Sequence, residues 1–166
     1  MLARADGDAF RIAREPTRIS DLVASTVGTF AARADGLGVA LTFDVAAELV
    51  ADVDSVRVRQ ALTNLVDNAL REVPAGGAVT VRGDPAPGAV TLAVSDTGPG
   101  FAPGVVATAF EPFVRGPERR RDDSGAGLGL AIVAAVARAH GGTVAVTRDA
   151  EITTVTMTLP HGLAGP

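Results

Sequence analysis

Apolar and polar positions along the chain fall into two periods, and their alternation predicts the elements. Ile19, Leu22, Val23, Thr26, Val27 and Phe30 recur at helical spacing, so a helix is expected from Ile19 to Ala34. Ser20 or Thr17 is the expected cap, with Gly36 and Gly38 as the stop. "VALTFDV" (39–45) alternates as a half-buried strand does. Asp54 precedes a longer helical run through Val56, Val58, Ala61, Leu62, Leu65, Val66, Ala69 and Leu70, closed by Pro74 and Gly76-Gly77. "AVTVRGD" (78–84) and "AVTLAVSD" (89–96) form a hairpin pattern joined by "PAPG". "LGLAIVAAVARAH" (128–140) is an apolar helix stopped by Gly141-Gly142, and "TVAVTRD" with "ITTVTMTLP" forms a second hairpin. The expected order is α, β, α, β, β, loop, α, β, β. Strands meeting through hairpins with helices between them predict an α+β fold: a mostly antiparallel sheet with helices on one face.

Composition narrows the function classes. The 166 residues are 47% hydrophobic and 20% charged, a globular balance, and the length suits one domain. A net charge of −4 gives no general attraction to nucleic acid or an anionic membrane. Cysteine is absent and His140 and His161 are the only histidines, which excludes a disulfide framework and leaves too few ligands for a histidine zinc site. No apolar run approaches the ~20 residues of a membrane helix, and no signal-peptide stretch opens the chain. A cytoplasmic chain that is not inserted in a membrane is expected.

"QALTNLVDNAL" (60–70) holds both asparagines of the chain, Asn64 and Asn68. Four residues apart on a helix, they share a face with roughly 5–6 Å between Cβ atoms. Two readings are open: the amides satisfy neighbouring backbone, or their oxygens face a ligand, where a neutral hard oxygen suits Mg²⁺ and its shared phosphates. Three further segments bear on the choice. "SDTGPGF" (95–101) puts Asp96 at a strand end before Gly98 and Gly100; its carboxylate can accept from an exocyclic amine such as adenine's, or the segment is a plain turn. "SGAGLGLAIV" (124–133) places Gly125, Gly127 and Gly129 at a helix start, offering N–H groups and the helix dipole to phosphate, or merely capping a core helix. Between them, "AFEPFVRG" (109–116) carries Phe110 and Phe113 as an apolar anchor, and "PERRRDDSGAG" (117–127) carries Arg119, Arg120 and Arg121 with almost nothing apolar. That stretch is expected to order around a ligand, with a solvated charge run as the simpler account of the arginines.

In order, "LTNLVDNALR", "DTGPGF", "FEPFVRG" and "GAGLGLAIV" resemble the N, G1, F and G2 boxes of the ATP-binding catalytic domain of bacterial sensor histidine kinases, within the gyrase–Hsp90–kinase–MutL ATPase superfamily. "AHGGTVAV" and "TTVTMTLP" resemble the segments that close that domain. The resemblance spans about residues 15 to 160. It implies a two-layer α/β sandwich of Bergerat type with a flexible ATP lid, and residues 17–160 as the ATP-binding domain. Residues 1–16 are then a tail or the remnant of a preceding helical dimerisation domain, and residues 161–166 a C-terminal tail. By position it implies Asn68 as Mg²⁺ ligand with Asn64 beside it, Arg71 on phosphate, Asp96 on adenine, Gly98 and Gly100 as the first glycine loop, Arg115 near the γ-phosphate, and Gly125, Gly127, Leu128 and Gly129 as lid hinge and phosphate loop. ATP and Mg²⁺ are the implied ligands.

Two departures stand out. Glu72 and Val73 follow Arg71 where the family carries an aromatic or histidine against adenine, and "RDAEI" before Thr153 lacks a glycine, which predicts a changed hairpin turn. Asn64 stands where the resemblance places a general-base glutamate in the ATPase branches; an amide has no useful basicity near pH 7, so poor hydrolysis is expected. No H-E-x-R-x-P-like phosphoacceptor motif occurs. An excised catalytic domain or truncated gene product is therefore expected. Its implied partners are a histidine-bearing dimerisation domain and, through it, a response regulator. The isolated chain is expected to be a monomer, and its parent kinase to be compatible with inner-membrane anchoring. A non-catalytic docking module and a superfamily ATP hydrolase are the competing readings.

Overall fold

The structure, a computed structural model, describes residues 11–102, 104, 110 and 128–161. A five-stranded sheet carries helices on one face. Its strands are β2 (Ala40–Val45), β4 (Ala78–Ala86), β5 (Ala89–Asp96), β6 (Thr143–Asp149) and β7 (Ile152–Pro160), in the order β2-β4-β5-β7-β6. β2 runs parallel to β4 and every other pair is antiparallel. The helices are α1 (Ile19–Leu37), α2 (Ser55–Glu72) and α3 (Leu128–Ala139). The α+β reading and the mostly antiparallel sheet are borne out.

Period-two alternation puts one set of side chains under the helices. Val79 and Val81 of β4, Val90, Leu92 and Val94 of β5, and Val155, Met157 and Leu159 of β7 are buried. Above them lie Leu62, Leu65, Val66, Ala69 and Leu70 of α2, Ile19, Leu22 and Val23 of α1, and Val133 and Val136 of α3. On the other face hydroxyls pair across strands, Thr42 with Thr80 at 3.2 Å and Ser95 with Thr154 at 2.8 Å. Gly83 of β4 is a point of close approach. A Cβ there would stand 3.1 Å from Val45 Cγ1 and 3.2 Å from Ile19 Cγ2, so glycine lets the start of α1 settle on the sheet.

Several local expectations change. Two short strands, β1 (Glu15–Arg18) and β3 (Val50–Val53), form a separate antiparallel ribbon absent from the expected order. Neither Ser20 nor Thr17 caps α1: Arg18 holds the cap position without a side-chain bond. Thr17 Oγ1 instead donates to the Glu15 carbonyl and Ser20 Oγ to the Ala47 carbonyl. Gly36 lies inside α1, and Gly38, at φ 68, ends it by donating its N–H to the Ala34 and Asp35 carbonyls. β4 runs on to Ala86, leaving Pro87-Gly88 as the turn. Pro85 is tolerated there because β2 pairs with β4 only as far as Gly83, so the missing N–H breaks no ladder. The β6–β7 hairpin closes on a two-residue turn, Ala150-Glu151, with Ala150 at φ 51 in the left-handed region. The "RDAEI" segment thus puts an alanine, not a glycine, in the left-handed position of this turn.

Asp54 caps α2 as expected, its Oδ1 accepting the Arg57 N–H at 3.0 Å. Its Oδ2 accepts the Ala13 N–H at 2.8 Å, and its own N–H donates to His140 Nε2 at 3.0 Å. The other ring nitrogen lies 2.8 Å from the Val136 carbonyl, which fixes the tautomer with the proton on Nδ1. Arg14 spans the same junction, donating to the carbonyls of Asp52 (3.1 Å), Pro160 (2.8 Å) and His140 (2.8 Å). Residues 13 and 14 are thus tied to the cap of α2, to the residue after α3 and to the end of β7.

Candidate functional site

α2 buries Val58, Ala61, Leu62, Leu65, Val66, Ala69 and Leu70 and turns an adjacent stripe outward: Asn64, Asp67, Asn68 and Arg71 at i, i+3, i+4 and i+7. Asn64 and Asn68 are both half-buried. Asn64 faces the first turn of α3, where a Cβ added to Gly129 would lie 3.5 Å from Asn64 Oδ1. The first asparagine and the last glycine of the second glycine run are thereby brought together. Arg71 is held by Asp67, whose Oδ2 lies 3.0 Å from Arg71 Nε while Oδ1 takes Arg33 Nη1 of α1 at 2.5 Å. Asp67 was not among the expected site residues. Its i, i+4 spacing to Arg71 was readable as a helix ion pair, whereas the Arg33 contact is tertiary.

Across from this helix end, β5 delivers Asp96 to the mouth of the fold. Asp96 Oδ1 accepts the Gly98 N–H at 2.9 Å, which fixes the carboxylate against the glycine loop. A Cβ on Gly98 would stand 2.9 Å from that oxygen and 3.1 Å from the Glu72 carbonyl oxygen, so the last residue of α2 and the loop nearly touch. Gly100, at φ 75, lies directly over the Arg148 guanidinium of β6. Thr97 joins the loop to the β4 edge: its N–H donates to the Ala78 carbonyl, and its Oγ1 accepts the Ala78 N–H. Burial pushes the Asp96 carboxyl above the ordinary aspartate range. The Gly98 N–H opposes this, the Glu72 charge adds to it and Arg148 opposes it in turn.

Of the remaining expected residues, Arg115, Gly125, Gly127, Phe113 and Arg119 to Arg121 lie outside the described residues, as does the lid. Leu128 opens α3, its side chain outside the described part. Phe110 packs against the core as the expected anchor. Among the described residues, no group of three or more His, Cys, Asp or Glu converges as a metal site, and no helix is long and apolar enough to cross a membrane. An open groove of about 480 Å³, lined by Glu15, Arg18, Ser25 and Arg59 among others, lies at the α2 N-terminus, the opposite end of that helix from Glu72.

A sheet with helices on one face, an asparagine-bearing helix meeting a glycine at the start of α3, and an aspartate-glycine loop at a strand end define an ATP-binding α/β sandwich. The fold matches that of full-length ShkA, solved in complex with AMPPNP, at a TM-score of 0.82 and 32% identity over 95% of this chain and 33% of that one. The chain is 38% identical over 160 residues to the sensor histidine kinase CusS of Escherichia coli K12, covering 96% of this chain. It is 39% identical over 153 residues to the sensor protein DivL of Caulobacter vibrioides, covering 89%. The chain belongs to the histidine kinase-, DNA gyrase B- and HSP90-like ATPase family, which matches residues 53–163, and its likeness is to the ATP-binding catalytic domain of sensor histidine kinases. It spans 33% of the length of CusS and 19% of DivL.

Proposed function

We propose that the chain binds Mg·ATP between α2, the loop after β5 and the start of α3, and passes the γ-phosphate to a histidine on a dimerisation domain outside residues 17–160. The observation that carries this reading is the pairing of Asn64 with Gly129 at one side of the cleft and Asp96 with its glycine loop at the other. Asp96 accepts the purine amine through the carboxylate oxygen that does not hold Gly98. Asn68 and Asn64 supply neutral oxygens to the metal, and that donor set fits magnesium, which keeps several waters and shares its shell with phosphates. When bound, the ion neutralises charge on the phosphates. Arg71, steadied by Asp67, adds positive charge at the same helix end. Arg115, Gly125, Gly127, Leu128 and Gly129 complete the phosphate side by the family pattern. Phosphoryl transfer is mostly positioning and charge neutralisation, so the acceptor domain brings its own base. A response regulator is the onward partner.

Asn64 argues against a hydrolase, because an amide does not take a proton from water at neutral pH. Glu72 beside Asp96 favours a second reading, a docking module that has lost its nucleotide. Calorimetric titration separates the three. Binding of Mg·ATP without appreciable turnover is expected; no binding of ATP or ADP at millimolar concentration would leave the docking module, and fast turnover the hydrolase. Asn68→Ala should weaken Mg·ATP by about 10-fold, the value of one good polar contact, and metal-free ATP much less. Equal losses for both would remove the metal role.

A further inference from the structure

Arg148 occupies a place that neither the family pattern nor the proposed ligand set uses. Strand register puts it in one row with Thr153 of β7 and Asp96 of β5, since Arg148 pairs with Thr153 and Thr153 with Asp96. Paired residues share a face of the sheet, so these side chains line the helix-side end of three adjacent strands. Arg148 Nη1 donates to Thr153 Oγ1 at 2.7 Å and reaches the Gly98 carbonyl at 3.4 Å. Thr153 is 2% exposed, which makes it a rigid anchor for the guanidinium. Gly100 lies so close above that a Cβ on it would collide with Nη1. One nitrogen therefore links the β6–β7 hairpin to Gly98 of the loop that carries Asp96 and packs beneath Gly100 of the same loop.

We infer that Arg148 is a positioning residue for nucleotide binding: it pins the Gly98–Gly100 loop over the end of β5, aims the Asp96 carboxylate, and offsets the negative charge that Glu72 brings beside it. The role rests on the reading of Asp96 as the purine acceptor. The charged groups facing Asp96 among the described residues are Glu72 from α2 and Arg148 from β6, with opposite effects on its ionisation. Arginine suits the task because a single guanidinium nitrogen carries two N–H donors, one for the Thr153 hydroxyl and one for the Gly98 carbonyl, at the end of a long side chain.

The test titrates the parent chain, Arg148→Met and Arg148→Lys with Mg·ATP and Mg·GTP by calorimetry, and follows the Asp96 carboxyl by ¹³C NMR in the ligand-free proteins. Arg148→Met should weaken Mg·ATP by about 5- to 10-fold, the value of one to two modest hydrogen bonds, and reduce discrimination against GTP. The Asp96 carboxyl should titrate at higher pH once the positive charge is gone. Arg148→Lys should bring the carboxyl back while recovering only part of the affinity, because the shorter lysine side chain does not carry its nitrogen as far as the Nη1 position. If the methionine variant does not fold, Arg148→Gln, which keeps a donor for Thr153, is measured in its place. Parental ATP affinity in the charge-neutral variant, or an unmoved Asp96 titration, would overturn the positioning role alone. Failure of the parent chain to bind Mg·ATP would overturn the site reading and this role with it.

Discussion

Asp54→Ala is expected to lower the unfolding free energy by about 2 kcal/mol, the sum of a lost helix cap and a partly buried hydrogen bond to the Ala13 N–H. The expectation rests on the number of groups that meet at this carboxylate. Oδ1 satisfies the Arg57 N–H at the start of α2, and Oδ2 satisfies the Ala13 N–H of the strand-leading segment. The Asp54 side chain is buried while its two donors are partly accessible, so water offsets part of the loss at the Ala13 N–H. Asp54→Asn should lose less, because its amide oxygen still caps the helix. Urea denaturation of the three proteins measures the difference, and a loss below about 1 kcal/mol for the alanine variant would mean that residues 11–14 are not docked in solution.

The same junction sets an acid dependence. Burial pushes the His140 ring below the ordinary histidine range; the Val136 carbonyl opposes this, Arg14 adds to it, and Asp54 opposes it. A second proton on Nε2 would also face the Asp54 N–H that this nitrogen now accepts. Because the folded value is depressed, the unfolded chain binds the proton first, so stability is full above the ordinary value of 6.5 and falls as pH drops below it. Burial raises the Asp54 carboxyl, but the Ala13 and Arg57 N–H groups with the His140 and Arg57 charges outweigh it, leaving a net depression. Its contribution is lost in a second, lower window, below the ordinary aspartate value of 3.8. Thermal melts across the acid range should therefore show two declines. His140→Gln should remove the upper one, and an upper decline that survives in that variant would assign it to another group.

What the sequence made legible follows from where the determining forces act. α2, its Asp54 cap and the asparagine stripe were readable because periodicity and capping are local, and the hairpins because turn residues interrupt alternating runs. The α1 cap was not readable: Thr17 and Ser20 had the right chemistry, but their hydroxyls bond carbonyls brought near by the chain. The β1–β3 ribbon was invisible because four-residue strands carry no period and their pairing spans some 35 positions. Asp67 and Arg148 share that difficulty. Each looks like a surface charge until Arg33 from another helix, or Gly98 and Thr153 from two other segments, are packed against it. His140 was readable as a helix end but not as the acceptor for Asp54, a contact 86 residues apart in the chain.

Asp96→Ala is expected to weaken Mg·ATP by roughly 30- to 150-fold, or about 2–3 kcal/mol, because a buried hydrogen bond to a charged group is removed and the purine amine is left without an acceptor. Part of that loss is indirect, since Oδ1 also holds the Gly98 N–H and its removal frees the loop. Asp96→Asn separates the two contributions. An asparagine oxygen can still accept from Gly98, so the loop stays placed, but its NH₂ group presents a donor where adenine also presents one and guanine presents a carbonyl. The asparagine variant should therefore lose ATP affinity while gaining relative affinity for GTP, whereas the alanine variant loses both. Parallel titrations with the two nucleotides read this directly, and unchanged discrimination between ATP and GTP in Asp96→Asn would place the purine elsewhere. Because burial, with a smaller contribution from the Glu72 charge, raises the Asp96 carboxyl, the parent chain should also lose ATP affinity at a higher pH on acidification than an ordinary aspartate would require. Glu72→Gln should move that limb to lower pH by removing the neighbouring negative charge. The shift has a sign that neither simple misfolding nor a phosphate-side defect produces, so it ties the carboxylate at the end of β5 to the bound base.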